Sequence, residues 1–177
     1  MIDYEKTIDP LELLEQLDEE DIAIILAIGD RKLNHLKVQK IALIVGKLLG
    51  FDISMVPYKY GGFSEDIMEK LQSPRNRDLF IRTPEGYSLS ENARQIYQIL
   101  VKKLEEKGRK DITEFIEVIR DLDDDELLAL TYWLFPEFTT KSEIKKRVEK
   151  KIAELQKNIM KITRSRDGLI LEVTEQQ

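Results

Sequence analysis

The run Leu79-Phe80-Ile81-Arg82, Thr83-Pro84-Glu85-Gly86, Tyr87-Ser88-Leu89 constrains this chain most, because it sets a β-hairpin among segments that otherwise read as helices. Two short strand-like stretches flank a link in which Pro and Gly stand at the spacing of a tight turn. Ser90 follows at once and is placed to cap a long helix, Glu91 to Lys107, buried through Ala93, Ile96, Tyr97, Leu100 and Leu104 and stopped by Gly108.

The segments before the hairpin carry helix signals in series. Asp9-Pro10 opens a first helix with Leu11, Leu14 and Leu17 on its buried side, and Asp18-Glu19-Glu20-Asp21 starts a second that runs through Ile22–Ile28. Asn34 or His35 begins a third, ending at Gly50. Its apolar positions Val38, Ile41, Ala42, Val45, Leu48 and Leu49 share one face, and Lys37, Lys40 and Lys47 are expected on the opposite side as a basic stripe. Residues 51–63, with Pro57 and Gly61-Gly62, read as extended or looped. Ser64 caps a short helix to about Gln72, which Ser73-Pro74 ends.

Helix, helix, short helix, hairpin is the order of a winged helix-turn-helix. The expected fold is therefore mainly α with a small β-wing: a winged-helix core over 1–108, followed by a C-terminal helical extension over 109–177 that packs on the core. In the extension, helices are expected over 111–121, 124–135 and 141–158, and a final hairpin over 159–173 turning at Arg166-Asp167-Gly168.

Two segments together resemble a known family. Leu36-Lys37-Val38-Gln39-Lys40-Ile41, then Tyr58-Lys59-Tyr60-Gly61-Gly62-Phe63-Ser64, are similar to the K-x-Q-K helix and the Y-x-Y-G-P-[FY]-S turn of the YwgA-like proteins of bacteria and archaea. They resemble more distantly the Panacea-domain (SocA-type) antitoxins. The likeness covers about residues 20–100, with an echo in Glu126-Leu127-Leu128 and Tyr132…Pro136-Glu137-Phe138; Gly62 stands where the family usually has Pro. The resemblance implies binding to a protein partner and supplies no catalytic residue.

Charge bears on the kind of partner. The chain carries a net −6, distributed in blocks: ten acids and one Lys over 1–30, five Lys/Arg and no acid over 31–50, ten acids and two bases over 111–143, nine bases and five acids over 144–177. Such alternation implies that acidic and basic faces meet each other or a partner. There is no Cys, which excludes disulfides, thiolate metal sites and Cys nucleophiles. No apolar run approaches a membrane span and the acidic Met1–Asp9 is unlike a secretory signal, so a cytoplasmic protein with no membrane partner is expected.

Residue types that usually carry chemistry have structural readings here. His35, the single His, reads as a cap or surface residue. Asp121, Asp123, Asp124, Asp125 and Glu126 lack the spacing of a Ca²⁺ loop and read as an acid-rich helix start. Gly61-Gly62 belongs to no phosphate-binding pattern, and Ser64, Ser73, Ser88 and Ser90 have no His placed to activate them. Tyr132, Trp133, Phe135 and Phe138 read as core or a subunit contact. A non-enzymatic protein with no metal and no cofactor is expected.

The fold raises the question of DNA. The helix that would enter the major groove, Ser64–Gln72, presents Glu65, Asp66 and Glu69 with Lys70 as its single base, which opposes a polyanion. The leading expectation is a regulatory or adaptor module that binds a protein through Tyr58, Tyr60, Phe63, Glu65, Asp66 and Glu69. The alternative is a DNA-binding regulator using Lys37, Lys40, Lys47, Arg75, Arg77 and Arg82, with Lys145, Lys146, Arg147, Lys150 and Lys151 as a second basic surface. A homodimer is expected from the stripe Ile144, Val148, Ile152, Leu155 and Ile159 and from exposed aromatics nearby.

Overall fold

Asp18 starts the helix at the centre of the core, and it does so reciprocally. Its carboxylate accepts from the Asp21 amide at 3.0 Å while the Asp21 carboxylate accepts from the Asp18 amide, a capping box that satisfies two N-terminal donors. Helix α1 (Glu19–Ile28) follows, and Asn34 then caps α2 (His35–Leu49), whose chain exits through Gly50 in the left-handed region. In this computed structural model the described residues are 14–58, 61–76, 78–138, 150–151, 153–154, 160–165 and 168–173. Residues 14–16 are helical; the expected start at Asp9-Pro10 lies outside the described residues.

After α2, in the segment expected to be extended or looped, the chain forms a hairpin. Strand β1 (Val56–Tyr58) pairs antiparallel with β2 (Gly61–Phe63), Val56 opposite Phe63 and Tyr58 opposite Gly61. Strands this short show no alternation to read, and Pro57 and two glycines disguise them further. Ser64 then caps α3 (Glu65–Gln72) through its hydroxyl to the Ile67 amide at 3.3 Å, and a single 3₁₀ turn (Pro74–Asn76) leads to the second hairpin. There β3 (Phe80–Thr83) pairs antiparallel with β4 (Gly86–Leu89), Phe80 opposite Leu89, at the expected hairpin.

The second hairpin has a third neighbour. Leu33, between α1 and α2, exchanges both backbone bonds with Tyr87 of β4, at 3.0 and 2.7 Å. The approach requires Gly86: with φ of 140° it adopts a backbone that L side chains avoid, and a Cβ there would lie 2.4 Å from the Leu33 carbonyl oxygen.

Helix α4 (Glu91–Glu106) is capped by Ser90, as expected, and is followed by α5 (Lys110–Arg120) and α6 (Asp124–Leu134). The acid run before α6 works as a helix start: Asp123 and Glu126 form a second capping box. A 3₁₀ turn (Pro136–Phe138) closes this part, and β5 (Met160–Ser165) pairs with β6 (Gly168–Val173) as a third hairpin. Of the helix expected over 141–158, Lys150, Lys151, Ala153 and Glu154 are described and helical; Ile144, Val148, Ile152, Leu155 and Ile159 lie outside the described residues.

The result is mainly α with small antiparallel hairpins. One hydrophobic cluster runs from Ala23 to Phe135, so α5 and α6 share a core with the elements before Gly108. Helix α2 is its axis: all nine positions from Val38 to Gly46 are buried, which means that α2 has neighbours on every side there.

Candidate functional site

The burial of α2 corrects the expected basic stripe. Lys40 is buried, 4% exposed, and donates to the Gly62 carbonyl at 2.6 Å. Burial lowers its pKa from 10.5 to about 8. Lys47 is exposed, and its ammonium donates to the Leu134 carbonyl at 3.0 Å and lies 4.7 Å from the centre of the Phe135 ring. Lys37 is half-buried. Periodicity located the apolar face correctly; the opposite face is covered because the β1–β2 hairpin and α6 pack on it.

The same correction explains the two motif segments. Gln39, also buried, donates to the Ser64 carbonyl at 2.8 Å and accepts from the Ser64 amide at 3.2 Å. Gln39 and Lys40 thus hold the backbone of Gly62 and Ser64, and through it the cap of α3, against the central helix. A buried amide bonded twice and a buried ammonium bonded to a carbonyl are the partners such groups need. The place of Gln39 in the K-x-Q-K segment is the sequence signal for this role.

On the outer side of α3, Glu65, Asp66 and Glu69 are exposed. Lys70, the one base of this helix, turns towards α1. It pairs with the Asp18 carboxylate and lies 3.2 Å from that of Asp21. These residues border an open cleft of about 310 Å³ lined by Asp18, Glu20, Asp66, Glu69, Lys70, Ser73 and Asn76. Its electrostatics are those of crowded acids. Burial and then the Asp18 charge push Asp21 up to about 6, with Lys70 opposing. Burial also acts on Asp18, but its bonds from Lys70 and from Asp21 outweigh it and leave Asp18 lowered. Glu20 is raised by burial and by the neighbouring charges of Asp18 and Asp66.

The remaining expected site residues scatter. Phe63 is half-buried in β2. Tyr58 lies in β1 with its side chain outside the described residues, as are Tyr60 and Arg77. Arg75 belongs to the 3₁₀ turn, its side chain likewise not described; Arg82 is exposed on β3. Of the second basic surface, Lys145, Lys146 and Arg147 lie outside the described residues. Lys150 is exposed and Lys151 pairs with Glu154 at 3.4 Å.

Two further expectations need correction. Tyr132 and Phe135 are buried in the core, one of the two expected readings, and Trp133 is half-buried, so of these three none is the exposed aromatic expected to support a dimer. His35 is not the cap of α2, which is Asn34. Its ring meets Tyr87 edge-on at 6.0 Å, Nε2 is buried without a hydrogen-bond partner, and burial and then Arg82 lower its pKa. Arg120 is one of the two bases in the acidic block over 111–143. It is buried and donates to the Leu26 and Ala27 carbonyls at 2.6 and 2.9 Å and to the Tyr97 hydroxyl at 3.2 Å, serving the C-terminus of α1. A base four residues after Ile116, on the apolar side of α5, was the signal.

The blocks of charge do meet within the fold. Arg31 pairs with Asp121 at 2.7 Å, and Asn34 donates to Asp124, joining the basic segment after α1 to the acidic segment before α6. Among the described residues no three His, Asp or Glu side chains converge to hold a metal ion, and no helix is long and apolar enough to cross a membrane. No family model, curated protein or solved structure matches this chain.

Proposed function

We propose that this chain is a winged-helix regulatory or adaptor module without catalytic activity, and that it binds a protein partner through the acidic face of α3 and the adjoining start of α1. The winged-helix reading is supported by the Leu33–Tyr87 bridge, which supplies the short first strand that such a domain places between its first two helices and pairs with the wing. In that reading α1, α2 and α3 are the three helices, β3–β4 is the wing, and β1–β2 is an elaboration between the second and third.

The observation that carries the protein-binding reading is the placement of Lys70. The single cation of the would-be reading helix is spent on Asp18 and Asp21, while Glu65, Asp66 and Glu69 remain exposed. A face of that sign repels phosphates and attracts a basic protein surface. The bonds from Gln39 and Lys40 favour kinship with the YwgA-like proteins, since they give the two motif segments one shared task.

The DNA-binding alternative loses the buried Lys40 as a phosphate contact and retains Arg82 and Lys47 as exposed cations, Lys47 with its ammonium on the Leu134 carbonyl. Pull-down from native extract, comparing wild type with Glu65→Lys/Asp66→Lys/Glu69→Lys, separates the readings. A protein retained by the wild type and lost by the triple variant is expected. Recovery of DNA alone, bound in a salt-sensitive and sequence-selective way, overturns the proposal.

A further inference from the structure

A second concavity lies away from the acidic cleft and shares no lining residue with it. It measures about 330 Å³ and is bounded by α1, the end of α2, the second half of α4 and the start of α5. Its floor is apolar, running from Leu48 and Phe51 across Ile22 and Leu26 to Leu104 and Ile112. A cavity of about 150 Å³ takes a benzene ring, so this one has room for two large apolar side chains.

The charged residues that line it are Lys103, Lys107 and Arg109, with no acid among them. That is the opposite of the chain as a whole, with its net −6. Lys103 in the last turn of α4 and Lys107, the residue that ends it, are exposed and four positions apart; Arg109 is steadied by Asp111 through Nε at 3.1 Å. Next to Phe51, beyond the lining, the Asp52 amide donates to the Glu19 carboxylate at 2.8 Å, so the groove is cationic along one wall and acidic past one end.

We infer that this groove docks an amphipathic helix of a protein partner, apolar on the face it buries and acidic on the flank that meets Lys103, Lys107 and Arg109. Its walls are helices, with no strand edge to extend, and Phe51 is its one aromatic, which leaves neither a sheet to augment nor the aromatic ladder that a polyproline segment needs. A helix in such a groove inserts residues at i, i+3/i+4 and i+7 and keeps its charges at the rim. The site uses none of the α3 residues, so it is independent of the function proposed above.

The test uses the full chain and a blocked synthetic peptide of about 18 residues, long enough to hold a helix once bound, with Leu at i, i+4, i+7 and i+11 and Glu on the flanks. Fluorescence anisotropy and the peptide's gain of helicity report binding. Saturable binding is expected, weakened about tenfold by Lys103→Glu/Lys107→Glu and by added salt, and unchanged by Glu65→Lys/Asp66→Lys/Glu69→Lys. Both lysines are exposed, so unchanged thermal melting of that variant separates lost docking from lost folding. Absence of binding at about 100 µM peptide, or equal binding of a peptide with Lys in place of every Glu, overturns the inference. So does a dimer in light scattering that Lys103→Glu/Lys107→Glu dissociates, which assigns the groove to a second copy of the chain.

Discussion

Replacing Lys40 by Met is predicted to abolish a pH dependence of stability that the wild-type chain carries in the alkaline range. Lys40 is 4% exposed, and burial lowers its pKa from 10.5 to about 8. Between those two values the unfolded chain holds a proton that the folded chain has released, so stability rises with pH across the window and levels off above it. A gap of that size corresponds to about 3 kcal/mol. Met retains most of the buried stem and lacks the charge. The variant forfeits the bond to Gly62 but no longer buries an ammonium; the two effects oppose, so the difference near pH 7 is about 2 kcal/mol or less in either direction. The slope is the diagnostic quantity. Urea denaturation of both proteins at half-unit steps from about pH 7 to 10.5 isolates Lys40, because tyrosines and exposed lysines titrate alike in the two. A wild-type-minus-variant difference that changes by less than about 1 kcal/mol over this range refutes the reading that Lys40 is buried as a charge.

Four other substitutions probe the same geometry. Gln39→Leu leaves the buried Ser64 amide and carbonyl without their side-chain partner, and a loss of about 2–4 kcal/mol in urea denaturation is expected; a loss under about 1 kcal/mol contradicts the twofold bond. Arg120→Lys keeps the charge but not the fork that serves Leu26 and Ala27, and is expected to cost about 2–3 kcal/mol. Gly29→Ala is destabilising independently, since a Cβ at φ 56° meets the Arg120 guanidinium at 2.4 Å; thermal melting that matches the wild type in either variant argues against this C-terminal cap. Asp21→Asn concerns acid: with its pKa raised from 3.8 to about 6 in the folded state, Asp21 makes the wild type lose stability as pH rises through that interval. The variant is therefore expected to be the more stable of the two above pH 6 and to converge with the wild type below pH 4, by about 2–3 kcal/mol of relative change; melting curves that stay parallel from pH 3.5 to 7 exclude it.

The local signals in this sequence determined where its helices and its second hairpin lie. Asp18, Asn34, Ser64, Ser90 and Asp123 each cap the helix that follows them, because a short polar side chain bonding an unpaired amide is a matter of two or three neighbouring residues. The acidic character of α3 was likewise legible, since Glu65, Asp66 and Glu69 precede and follow the positions that turn inward. What only the tertiary structure decided is the destination of the basic residues. A 3.6-residue period identifies one buried face and is silent on whether the other is covered, so Lys40 reads as solvent-facing although β1–β2 and α6 close over that side of α2, while Lys47 stays exposed with its ammonium on the Leu134 carbonyl. Lys70 pairs across 49 and more positions, and Arg120 serves carbonyls more than 90 positions away. Bonds of that span depend on how helices stack, which no window along the chain contains. The β3–β4 hairpin divides in the same way: its strands and turn are encoded in eleven consecutive residues, but its third partner, Leu33, and the reason that Gly86 must be glycine come from the fold.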